Sequence, residues 1–120
     1  MSKEFDLGKE GEEVATFYLM HNGFKILDRN WRFNKYELDI IASKDNLIII
    51  VEVKTRADEF FERPQDAVTL KKQKFMYDAA EAYLEAKDIS KELRFDIISI
   101  ILSDKKNSID HIEGAFRPGW

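Results

Sequence analysis

Four charged side chains flank an apolar stretch in a pattern that can do chemistry. In YELDIIASKDNLIIIVEVKTR, residues 36–56, five consecutive apolar residues lead straight into Glu52 and Lys54, with Glu37 and Asp39 upstream. Side chains on a strand alternate between faces, so Glu52 and Lys54 share one. A turn made of Asp45 and Asn46 alone pairs Lys44 with Leu47, which sets Asp39 opposite Glu52 and Glu37 opposite Lys54. A four-residue turn over 43–46 shifts the register by two and leaves Asp39 diagonal to Glu52, on the same face because both turns are even in length. Opposed Cβ atoms lie about 4.5–5.5 Å apart and diagonal ones about 7–8 Å, so one small cation touches both carboxylates in either register. Facing carboxylates repel, and the compensating charge is either Lys54 or a divalent metal.

The elements that must position these groups are legible in the pattern. Over 7–22 the residues Gly8, Gly11, Ala15, Tyr18 and Leu19 fall on one side of a helix that Gly23 terminates. Strands are predicted over 24–32 and 36–42, and 47–54 has the β-branched, continuous apolarity of a central strand covered on both faces. The polar stretch 55–66, with Pro64, reads as a loop of functional length. Thr69 is the natural N-cap of a second helix running to about Lys87, burying Met76, Ala79, Ala80, Tyr83 and Leu84. A further strand follows over 93–102, and 108–114 reads as a short edge strand before a tail ending in Trp120. The order αβββαβ(β) describes a mixed α/β domain, a single one over residues 1–120.

Composition narrows the function classes. With 44% hydrophobic and 35% charged residues, the chain falls among globular proteins. The absence of cysteine removes thiol catalysis, disulfides and cysteine-zinc sites, and two histidines are too few for a histidine-rich metal site. No apolar run approaches the roughly 20 residues of a membrane span, and the start lacks a signal-peptide core, so a cytoplasmic protein without a membrane partner is expected. A net charge of −4 argues against indiscriminate coating of nucleic acid but allows a local basic surface.

The acidic strand residue followed by Glu-x-Lys on the next strand resembles the bipartite signature of the PD-(D/E)xK nuclease superfamily. More specifically, GKEGEEVATFYLMHNGFKILDRNWR, VTLKKQ, RFDIIS and HIEGAF resemble, over nearly the whole chain, the YraN-like family of small bacterial proteins, grouped with archaeal-type Holliday-junction resolvases. Two positions depart from the family pattern: Tyr36 and Glu62 stand where glycines are usual. The resemblance implies a restriction-endonuclease-like fold with a mixed central sheet flanked by helices. It also implies a nuclease acting on branched or structured DNA, with Mg²⁺ or Mn²⁺ as cofactor.

Phosphodiester hydrolysis needs an activated water and a stabilised pentavalent phosphate, and a hard divalent ion on oxygen ligands serves both needs. Asp39 and Glu52 would be its ligands, with the Val53 carbonyl as the third that the resemblance implies. Lys54 would orient or deprotonate the water or stabilise the phosphate. Glu12 matches the additional helical carboxylate of resolvase-like proteins. Asp39, Glu52 and Lys54 are thus expected on one face, with Glu12 arriving from the first helix and Glu37 as a partner of Lys54. Arg56, Lys71, Lys72 and Lys74, with Gln73 among them, are expected along a phosphate-binding groove. The expected partners are DNA and a second copy of the chain in a homodimer.

Each residue also has a plainer reading: Glu52 and Lys54 as a strand-end pair, Asp39 and Glu12 as solvated charges, the lysines as an ordinary helix start. Arg94 and Asp96 read as a structural salt bridge at the sheet edge, and Trp31 as packing. The alternative function is a nucleic-acid-binding or adaptor module that keeps the fold without catalysis.

Overall fold

The computed structural model describes residues 6–57, 68–104 and 107–117. Most of the loop expected over 55–66, including Pro64 and the Glu62 departure, lies outside the described residues, as does Trp120. The elements run α1 (Leu7–His21), β1 (Lys25–Phe33), β2 (Tyr36–Lys44), β3 (Leu47–Arg56), α2 (Leu70–Ala86), β4 (Glu92–Leu102) and β5 (Asn107–Phe116). The five strands form one sheet in chain order, antiparallel throughout except between β3 and β4. Parallel pairing needs a crossover, and α2 is that crossover. The result, αβββαββ, is the mixed α/β architecture of the restriction-endonuclease-like fold.

Local chemistry sets the boundaries. Asp6 caps α1 by accepting the Lys9 N–H at 3.1 Å, and Thr69 caps α2 by accepting the Lys72 N–H at 3.1 Å. Gly23, at φ +85°, turns the chain out of α1. Between β2 and β3 the two-residue turn is the one formed: Lys44 pairs with Leu47, and Asp45 and Asn46 have φ of 50° and 66°. Both values are positive, as a primed hairpin turn requires, and Asp and Asn tolerate that region better than most residues.

β3 is covered on both faces. Ile48 and Ile50 join Met76, Ala79, Ala80 and Tyr83 under α2, whereas Ile49 and Val51 join Ala15 and Leu19 under α1. The strand runs two residues further than its sequence suggests, because Thr55 and Arg56 continue the parallel ladder opposite Ile100 and Ile101. β5 is likewise longer than expected, ten residues pairing along β4 from Leu102 down to Phe95. At the far end of β3, α1 comes close: a Cβ placed on Gly11 would sit 1.8 Å from Thr55 Oγ1. Only glycine permits that approach. Among the described residues no helix is long and apolar enough to cross a membrane.

Candidate functional site

The β2–β3 ladder runs from Lys44↔Leu47 to Ile40↔Val51 and stops there. The next position in register would set Asp39 against Glu52. Here β2 also loses its regular alternation: Leu38 packs under α2 while Ile40, two residues on, packs under α1. In β1, Asn30 has a φ of 52°, a second irregularity close to the same point. Asp39 Oδ2 accepts the Val53 N–H at 2.9 Å, so a side chain replaces a ladder bond. In an extended strand a residue's N–H and C=O point to the same neighbour, which directs the Val53 carbonyl toward β2 as well.

Glu52 is buried, at 6% exposure. Lys72, from the first turn of α2, donates to Glu52 Oε2, and Lys54 Nζ lies 3.7 Å from the same oxygen. The Asp39 carboxyl is pushed up to about 7, first by burial and then by the charge of Glu52; the Val53 N–H pulls it back, Glu12 raises it and Lys72 lowers it. Burial works against the charged form of Lys72, but its hydrogen bond to Glu52 and the acidic surroundings leave the ammonium held above its ordinary value. Asp39, Glu52, Lys54 and Lys72 thus form one electrostatic unit drawn from β2, β3 and α2.

The other predicted residues divide. Glu12 comes within electrostatic reach of Asp39, yet its carboxylate pairs with Arg29 at 3.6 Å. Arg29 also holds Glu13 at 3.0 Å, and its buried Nε has no hydrogen-bond partner among the described residues. Sequence reading passes over Arg29, whose only signal is a cation in β1. Glu37 pairs with Arg32 at 3.5 Å instead of serving Lys54. The reason is register: Arg32 and Glu37 are cross-strand neighbours in β1–β2, while the β2–β3 ladder has already ended. Gln73 directs its amide to the Val68 carbonyl at 3.0 Å, and Lys72 turns to Glu52, so both part-exposed side chains are engaged within the chain. Lys74 is exposed and Arg56 half-buried at the end of β3.

The donor set suits a hard divalent ion. Asp39 and Glu52 offer carboxylate oxygens beside a strand carbonyl, and their mutual repulsion asks for positive charge. Among the described residues no group of three or more Asp, Glu or His lies close enough to hold a metal ion, so Glu12 does not complete a three-carboxylate cage. Two carboxylates fit Mg²⁺ or Mn²⁺, which keep several waters and draw further oxygens from substrate phosphate.

A second polar cluster lies under α1. Asp96, fully buried on β4, accepts two bonds from Arg94 at 2.9 Å each, one from His111 at 2.8 Å and one from the Gly114 N–H at 3.0 Å. His111 also meets the Tyr18 hydroxyl at 3.2 Å. The Arg94–Asp96 pair is structural as expected, but it sits between β3 and β5 and not at the sheet edge. Trp31 packs edge-on against Tyr83 with ring centroids 5.2 Å apart, a packing role as expected.

Residues 11–100 match the model of a family described as "Uncharacterised protein family UPF0102". A UPF0102 protein of Parabacteroides distasonis is 45% identical over 116 residues, 97% of this chain and 96% of the relative. One from Bacteroides thetaiotaomicron is 46% identical over 118 residues, 98% of each chain. One from Flavobacterium johnsoniae is 39% identical, covering 97% of this chain and 98% of its own.

Proposed function

The chain belongs to the UPF0102 family, the YraN family, and from that premise we propose that it is a metal-dependent nuclease that hydrolyses phosphodiester bonds in structured or branched DNA. The observation that carries this reading is the placement of Asp39 and Glu52 together where the β2–β3 ladder ends, against lysines from two elements. Stability alone does not call for it, because like charges facing across a ladder are destabilising. Such arrangements are kept where chemistry uses them.

Asp39, Glu52 and the Val53 carbonyl would hold Mg²⁺ or Mn²⁺. When bound, the ion offsets charge on a pentavalent phosphate and acidifies a water. The Val53 N–H fixes the orientation of the Asp39 carboxylate. Lys54, on the same strand face as Glu52, is set to stabilise the phosphate or orient the attacking water. The first turn of α2 carries Lys71 and Lys72 and no acid, against the preference of a helix N-terminus. That excess of positive charge suits a phosphate.

The test is cleavage of junction, flap, single-stranded and duplex DNA in Mn²⁺, with metal binding followed by calorimetry. Lys54→Ala should lower single-turnover cleavage by about 100-fold or more, with DNA affinity changed by less than about tenfold. Asp39→Ala should lose metal binding. The second reading, a non-catalytic nucleic-acid adaptor, draws on the Lys72–Glu52 contact, since an ammonium already neutralises one of the two acids. It is favoured if the protein binds branched DNA without metal, cleaves nothing, and loses binding equally in Lys54→Ala and Lys72→Ala.

A further inference from the structure

Beside the acidic cluster the molecule has an aromatic groove that the cleavage chemistry does not use. It measures about 700 Å³, within the usual span of small-ligand sites, and is lined by Phe33, Asn34, Lys35, Tyr36, Phe75 and Asp78. Phe75, on α2, is 45% exposed although it is a large apolar side chain. Its ring stacks on Tyr36 with centroids 5.5 Å apart and planes inclined by 29°, and much of the side chain still faces solvent. Tyr36 belongs to both sites. Burial raises its hydroxyl, and Lys72, Glu52 and Asp39 all act on it electrostatically.

The surrounding charge defines the occupant. Lys71, Phe75 and Asp78 are spaced along one exposed face of α2, Lys74 precedes Phe75, and Lys35 closes the groove from the β1–β2 turn. Exposed aromatic surface with Lys35 in its lining and Lys71 and Lys74 nearby on α2, against the single acid Asp78, is complementary to a nucleotide, with its flat base and anionic linkage. An apolar peptide side chain would use the rings but make no use of Lys35, Lys71 and Lys74. Position adds to this: Lys72, on Glu52, lies three residues before Phe75 on the same helix.

We propose that Phe75 and Tyr36 form a stacking subsite for one unpaired nucleobase of a DNA strand whose neighbouring phosphate enters the Asp39–Glu52 site. The inference rests on the nuclease reading for the role of that phosphate, and it names the feature of the substrate that is recognised: a base free of its duplex partner. Duplex bases present no open face to a ring, whereas branch points and flaps do.

The test measures binding by fluorescence anisotropy in Ca²⁺, without cleavage as a readout. The probes are a duplex, a forked duplex with a short single-stranded arm, and the same fork with abasic positions in that arm. Phe75→Ala should weaken fork binding by about tenfold and leave duplex binding unchanged, and Phe75→Trp should retain fork binding. In the wild type the abasic fork should bind about as weakly as the intact fork binds Phe75→Ala, and the two changes together should add little. Thermal unfolding of each variant reports whether the fold is intact. Equal effects of Phe75→Ala on duplex and fork, or no effect on either while Lys72→Ala weakens both, overturn the subsite and leave the nuclease reading standing. A protein that cleaves nothing yet shows the Phe75 and abasic effects keeps the subsite and loses the nuclease. Failure to bind any of the probes removes both. Concentration-dependent self-association abolished by Phe75→Ala assigns the groove to a second copy of the chain and also overturns the proposal.

Discussion

Two aspartates of the same sheet, on β2 and β4 either side of β3, have opposite fates. Asp96 is fully buried but accepts four hydrogen bonds, from Arg94, His111 and the Gly114 N–H. Burial alone would raise its carboxyl, and those donors outweigh it, so the group is held below the ordinary carboxylate value. Asp39 is less buried, accepts one backbone N–H and faces Glu52, and it is pushed up to about 7. Burial therefore does not decide which acid is strained; the number of donors and the sign of the nearest charge do. Where every lone pair is satisfied, the group holds the sheet and α1 together. Where one acid is set against another, the fold keeps an electrostatic debt that a cation or a substrate can settle.

The largest effect should come from breaking the satisfied cluster. Asp96→Ala removes the carboxylate that joins Arg94 to the buried His111, leaving Arg94 only Glu113 at 3.6 Å and His111 only the Tyr18 hydroxyl at 3.2 Å, and removing one member of a buried pair costs about 3–5 kcal/mol. Urea unfolding at neutral pH measures it, and a loss below about 1 kcal/mol would show that the network is not holding β4 to β5. Because its folded carboxyl lies below the unfolded value near 3.9, Asp96 adds stability above that pH. The contribution disappears as the solution is acidified through the folded value.

Asp39 should behave in the opposite sense. Its folded value of about 7 lies above the ordinary 3.8, so the folded state holds the proton more tightly and loses stability as pH rises from about 4 to 7. Asp39→Asn, which cannot ionise and can still accept the Val53 N–H, should therefore be more stable than wild type at pH 8 in EDTA. A shift of about three units corresponds to ~4 kcal/mol as an upper limit, and relaxation and water around the part-exposed carboxyl reduce the expected gain to about 2 kcal/mol. At pH 4 the two proteins should unfold together. Equal stabilities at pH 8 would mean that Asp39 is not strained. The same variant should lose metal binding, as expected where function is kept at the expense of stability.

The smallest effect sharpens the comparison. Glu12 raises Asp39 from α1, so Glu12→Gln should lower the Asp39 titration midpoint, followed by carboxyl carbon NMR, by a fraction of a pH unit. Arg29→Ala, which removes the cation pairing with Glu12, should raise it. A midpoint indifferent to both would place Glu12 outside the site altogether.

How much of this was legible in the sequence depends on the range of the interaction. The helices, the central strand and the Thr69 cap follow from periodicity and single-residue chemistry, and the structure has them within a few residues. The juxtaposition of Asp39 and Glu52 was legible too, because an Asp-Asn hairpin turn six residues from each sets them at the first position past the end of the ladder. Glu37 was misplaced for a physical reason: extrapolating that register assumes the ladder continues, and it ends at Ile40. Nothing local marks that ending.

The sequence by itself determined which residues form each element and which carboxylates share a hairpin, since both are set by neighbours along the chain through alternation, capping and turn geometry. Only the tertiary structure decided which cation answers which acid. Lys72 reaches Glu52 across 20 residues, Arg29 takes Glu12 across 17, and His111 finds Asp96 across 15. Each of these contacts depends on how α1, α2 and β5 dock on the sheet. Docking is driven by burial of apolar faces, which is not directional, and the polar partners meet wherever that packing carries them.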